Sequence, residues 1–175
     1  PDVKAVLFAR GGWGTSRIAD RLDLAALRRR PKAIAGFSDL TTLLLAATQR
    51  AGIAAFHAPM LAGTGPGPAG ARDLGRLLAL LAGAAAPLAH RGLRALRRGR
   101  ARAPLTGGNL SLLAHSIGTP FQLETRGRIL FVEEVNEPLY RVDRAVRQLL
   151  LAGAFSGIAG LVLGRFSGMK PRESG

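Results

Sequence analysis

The chain has 175 residues, of which 47% are hydrophobic and 21% charged, and its formal net charge is +14. That balance excludes a disordered chain. The absence of cysteine excludes a disulfide scaffold, cysteine-ligated zinc, iron–sulfur clusters and thiol catalysis.

Val3–Ala9 is an apolar run broken only by Lys4 and followed by Arg10-Gly11-Gly12-Trp13-Gly14. This is the pattern of a buried strand that ends in a glycine turn. Thr15 or Ser16 is placed to cap a short helix through about Leu22, and Asp23–Arg30 reads as a further helical turn stopped by Pro31. Ala33–Phe37 is a second strand. Leu40, Leu43, Leu44 and Ala47 then recur at helical spacing over Leu40–Arg50, with Gly52 as the stop. Ile53–Phe56 is a third strand, ending in His57-Ala58-Pro59-Met60. Strands alternating with helices predict an α/β fold, a parallel sheet with crossover helices.

Residues 61–70 are rich in Gly and Pro and read as a loop; Asp73–Ala86 reads as an Ala/Leu helix. The division expected is an N-terminal α/β domain over residues 1–86, a basic linker over 87–104 and a second, partial domain over 105–175. The second part opens on Thr106-Gly107-Gly108-Asn109 and the apolar run Leu110–Ala114. A strand over Arg128–Val132, a helix over Leu139–Ala152 and a strand over Ile158–Leu163 follow. The chain enters a strand within its first residues and ends soon after an apolar run, so an internal piece of a longer protein is expected.

The charge is mostly arginine: 22 of the 25 basic residues, with no acid between Asp73 and Glu124. A run such as Arg91–Arg102 is able to bind phosphates, which keeps a nucleic-acid-binding module as an alternative. No aromatic residue lies between Phe56 and Phe121, so base-stacking platforms are missing there. A solvated basic linker is favoured, with no nucleic-acid partner. Leu77–Ala89 and Leu149–Leu163 fall short of the ~20 apolar residues that span a bilayer, so no membrane partner is expected either.

Three constellations are able to carry chemistry. In Gly36-Phe37-Ser38-Asp39 a strand turns into a helix with serine at the turn, exposing a hydroxyl beside free first-turn amides. This is like a nucleophile elbow, with Leu40 where the second glycine of that motif stands; a plain helix N-cap by Ser38 or Asp39 is the alternative. Gly11-Gly12-Trp13-Gly14 lets backbone amides approach a ligand, though a tight turn explains it equally. It is neither a Walker loop nor a dinucleotide fingerprint. Glu133-Glu134 closes the strand at 128–132, and adjacent strand residues face opposite ways, so one at most faces a site. Of the histidines, His90 lies in the basic linker, His115 follows a helical run, and His57 ends the third strand, at the sheet edge where α/β folds bind ligands.

Together these segments resemble the LD-carboxypeptidase family of serine peptidases, which includes the microcin C immunity peptidases. The residues that carry the resemblance are Ala5–Gly14, Pro31–Thr41, Phe56–Met60, Gly107–Leu113, Gly118-Thr119-Pro120 and Ile129–Arg144. The resemblance implies an α/β domain with the nucleophile, a β-rich second domain and a Ser-Glu-His triad between them. It assigns Ser38 as nucleophile and Glu133, rather than Glu134, as the triad acid. The backbone amides of Gly12 and Asp39 would form the oxyanion hole, and Gly11, Trp13 and His57 would line the substrate site. None of the three histidines matches the family's triad histidine, which is expected beyond this chain, leaving these residues alone inactive. No metal or cofactor is implied. The expected substrate is a cytoplasmic murein peptide losing a C-terminal D-alanine; an immunity peptidase cleaving a peptidyl-nucleotide is the alternative. The family is commonly dimeric.

Overall fold

The computed structural model describes residues 2–62, 68–84 and 92–169. Two three-stranded parallel sheets form its frame. In the first, β1 (Ala5–Leu7), β2 (Ala33–Gly36) and β3 (Ala55–His57) lie side by side in that order. In the second, β4 (Leu105–Asn109), β5 (Ile129–Val135) and β6 (Gly160–Ser167) do the same. Helices α1 (Leu24–Arg29) and α2 (Thr41–Leu45, continued by a π turn over Ala46–Arg50) connect the first sheet. Helix α3 spans Pro68–Leu81, and α4 (Leu110–Ser116) and α5 (Leu139–Leu151) connect the second sheet. The second half therefore holds three parallel strands, one more than the sequence runs suggest, and two helices.

Local chemistry explains the element ends. The Asp23 carboxylate accepts from the Ala26 amide at 2.7 Å and starts α1. Asn109 does the same for α4, accepting from the Leu112 amide at 3.3 Å. Pro138, with no N–H to leave unpaired, opens α5.

The helix expected from Thr15 to Leu22 is instead two short 3₁₀ turns, Thr15–Arg17 and Ala19–Arg21. Thr15 caps neither, because its hydroxyl is engaged elsewhere, as described below. The Thr106–Asn109 stretch, whose two glycines and asparagine disfavour strands, is part of a strand. Gly107 is glycine of necessity: at its φ of 130° a Cβ would stand 1.8 Å from the Phe131 carbonyl oxygen. The last strand runs past Leu163 to Ser167 because it goes on pairing with Glu134 and Val135. The helix expected at Asp73–Ala86 starts earlier, at Pro68, and ends at Leu81. Residues 63–67 of the 61–70 loop, His90 and the start of the basic linker lie outside the described residues.

Helix α2 joins the two halves. Leu44 packs with Ile34 and Ala47 against the first sheet. Its neighbour Leu45 packs with Leu110, Leu113, Leu130 and Leu149 in the core of the second. Thr41, fully buried, accepts through its hydroxyl from the Asn109 amide at 3.1 Å. Gly108 makes room for this contact, since a Cβ there would stand 2.7 Å from the Thr41 side chain. Among the described residues, no helix is long and apolar enough to cross a membrane.

Candidate active site

Strand β2 ends at Gly36, and the chain turns into a 3₁₀ turn, Ser38–Leu40, that leads directly into α2. Ser38 adopts a left-handed backbone with φ of 61°. Such a conformation strains a residue with a Cβ and tends to mark functional positions. The turn is tight: a Cβ on Gly36 would stand 2.3 Å from Leu40 Cδ1. Thus Leu40, where the elbow motif has glycine, is accommodated because Gly36 has no side chain.

The glycine turn after β1 runs beside this serine. A Cβ on Gly11 would lie 3.6 Å from Ser38 Oγ and 3.2 Å from Met60 Cε. The Gly11 backbone thus runs close enough to Ser38 that a side chain there would touch it. Gly12 is exposed, has φ of 149° and has open space where a side chain would be. The Asp39 amide sits in the first turn after the strand, where amides lack an intrahelical acceptor. Trp13 is 79% exposed beside the turn, with the Arg17 guanidinium 4.6 Å over its ring.

The side chain of Asp39 does not cap the helix that follows, nor does that of Ser38. Asp39 is 8% exposed. Its Oδ2 accepts from the Thr15 amide at 2.9 Å and from the Thr15 hydroxyl at 2.6 Å.

Glu133 and Glu134 point to opposite faces of β5, as adjacent strand residues must. Glu134 is 2% exposed and fully engaged. It accepts from Asn109 Nδ2 at 2.7 Å, from the Ser111 amide at 3.0 Å and from the Ser111 hydroxyl at 2.6 Å. Glu133 differs. Its Oε1 is buried and has no hydrogen-bond partner among the described residues. Burial raises its pKa, the neighbouring Glu134 charge adds to this, and a hydrogen bond from Asn109 opposes it.

A bulge shapes the space around Glu133. Val132 pairs with Leu163 and Glu134 with Phe166, so two residues of β6 oppose Glu133 alone. One of the two is Gly164, where a Cβ would stand 3.1 Å from Glu133 Cβ and 2.8 Å from Phe131 Cε2.

Aromatic contacts connect the two sheets here. His57, at the end of β3, pairs in register with Gly36. Its ring centroid lies 6.0 Å from Phe37 and 5.0 Å edge-on from Phe131. Phe37 precedes Ser38, and Phe131 shares the Glu133 face of β5. His57 keeps one side open to solvent, while loss of water around the packed ring lowers its pKa from 6.5 to about 4. Neither His57 nor the exposed His115 hydrogen-bonds Glu133. Among the described residues, no cluster of three His, Asp or Glu side chains is placed to hold a metal ion.

Residues 1–58 match a model of the LD-carboxypeptidase N-terminal domain, and residues 102–175 match one of the LD-carboxypeptidase C-terminal domain. A probable murein peptide carboxypeptidase of Bacillus subtilis is 38% identical over 174 residues, covering 97% of this chain and 54% of that protein. The crystal structure of a muramoyltetrapeptide carboxypeptidase from Oxalobacter formigenes superposes with a TM-score of 0.79 at 33% identity. It covers 99% of this chain and 59% of its own. The wild-type microcin C7 self-immunity protein superposes with a TM-score of 0.79 at 22% identity, covering 99% of this chain and 61% of its own, a likeness of fold alone. The chain thus spans a little over half the length of the curated relatives it matches.

Proposed function

Because this chain belongs to the LD-carboxypeptidase family, we propose that it carries the nucleophile and the triad acid of a serine carboxypeptidase. The proposed reaction releases a C-terminal D-amino acid, D-alanine, from murein tetrapeptides in the cytoplasm. The observation that carries the reading is the left-handed Ser38 with the bare backbone of Gly11 against it.

In the proposed mechanism Ser38 Oγ attacks the carbonyl carbon of the last peptide bond while its proton passes to a histidine. The tetrahedral oxyanion forms beside the amides of Gly12 and Asp39, each worth about 10²–10³-fold in rate. Collapse expels the D-amino acid, whose amine takes the proton, and water then hydrolyses the acyl-serine. Glu133 holds the histidine in the required tautomer. Its buried Oε1, without a hydrogen-bond partner among the described residues, supports this role, since such an atom is costly unless another group fills it. Glu134, with every oxygen already engaged, fits a structural role. We place the histidine outside these 175 residues. Gly11, the exposed Trp13 and His57 would border the bound peptide.

The test is D-alanine release from a tetrapeptide. The 175-residue chain should be nearly inactive. The full-length protein should be active, and Ser38→Ala in it should abolish release. Robust release by the 175 residues alone, or by full-length Ser38→Ala, would overturn the assignment.

A further inference from the structure

We propose that Asp39 and Thr15 form a positioning pair that pins the oxyanion loop to the nucleophile turn. This rests on the carboxypeptidase reading above. The loop Gly11–Gly14 contains three glycines, and its one side chain, Trp13, points into solvent. Glycine segments lose the most conformational freedom on ordering, so this loop needs an anchor if the Gly12 amide is to hold one place.

The anchor lies directly after it. Thr15 gives both its donors, amide and hydroxyl, to the single Oδ2 of Asp39, 24 residues away. The carboxylate is buried, and among the described residues no Lys or Arg forms an ion pair with it. The bonds from Thr15 are therefore its main compensation, and hydrogen bonds to a charged acceptor are the stronger kind.

Asp39 thus has two duties. Its amide is one proposed oxyanion donor, fixed next to Ser38 by the chain itself. Its carboxylate sets the position of the loop that carries the other donor. Both donors are keyed to one residue, and their spacing to Ser38 is set by two short bonds rather than by loop stiffness. Thr15 touches no reacting atom in this scheme; it acts through the loop.

The experiment compares Thr15→Val, which keeps the shape and removes the hydroxyl, with Thr15→Ser, which keeps the hydroxyl. In the full-length protein, Thr15→Val should lower kcat by about ten- to hundredfold. KM should stay within about twofold of wild type, because the pair acts on the transition state. Thr15→Ser should restore most of kcat. Amide hydrogen exchange should quicken in residues 11–17 of Thr15→Val and nowhere else. Unchanged kcat in Thr15→Val overturns the proposal, as does an equal loss in Thr15→Ser. Exchange rising across the whole molecule overturns it too, since that marks general destabilisation. If the wild type releases no D-alanine, the carboxypeptidase reading fails instead, and exchange in residues 11–17 alone decides whether the pair holds the loop.

Discussion

Ser38 and Asn136 are the two non-glycine residues with positive φ among those described. A left-handed conformation costs an L-residue roughly 1–2 kcal/mol. At Ser38 that cost places the hydroxyl at the mouth of the β2 turn, beside Gly11. Ser38→Gly and Ser38→Ala should both be inactive, yet they should differ in stability. Alanine keeps the strain, whereas glycine relieves it, so Ser38→Gly should be more stable by about 1 kcal/mol. Urea midpoints of the two variants check this; equal midpoints would mean the turn stores no strain. The serine is legible in the sequence because the turn that strains it also demands Gly36 two residues before. The Asp39–Thr15 pair is not legible. Its partners meet because parallel pairing of β1 with β2 sets the two strand ends side by side, and nothing local to either residue announces it. The choice between Glu133 and Glu134 is half legible: alternation says they face apart, but the Gly164 bulge and the bonds that fill Glu134 appear only in three dimensions.

Strand β3 carries into the site the aromatic row Phe37–His57–Phe131, which ties the end of the first sheet to the face of β5 that bears Glu133. The His57 pKa is lowered from 6.5 to about 4, so the folded chain binds this proton less readily than the unfolded chain. Stability from neutral His57 is then complete above pH 6.5 and is lost as pH falls toward 4. His57→Phe keeps the ring contacts and removes the titration. Its unfolding midpoint should therefore fall less than that of wild type between those two pH values. Parallel pH dependence in the two proteins would show that the ring proton is not excluded by the fold. The apolar strands and α2 are legible from runs and periodicity. Strand β4 is not, because Gly107 and Gly108 are chosen for close approach of backbone and of Thr41, which propensity does not describe.

The two sheets share one helix. Within α2 the adjacent residues Leu44 and Leu45 are 5% and 2% exposed, one in each core. Thr41 bonds the Asn109 amide across the same boundary. Ser38 leads into this helix, and Asn109 Nδ2 bonds Glu134, the neighbour of Glu133. The helix that Ser38 leads into is thus also the one through which the second sheet is set against the first. This predicts that the halves lose structure together. Leu45→Ala removes a side chain from the second core and should cost about 2–5 kcal/mol. If the frame is one cooperative unit, amide exchange should quicken at Ile34 in β2 as well as at Leu130 in β5, to the same degree. Protection lost at Leu130 alone would mean that the sheets are separate units leaning on one helix. The geometry between Ser38 and Glu133 would then depend on docking rather than on folding, and peptide cleavage would be lost under milder denaturing conditions than either core.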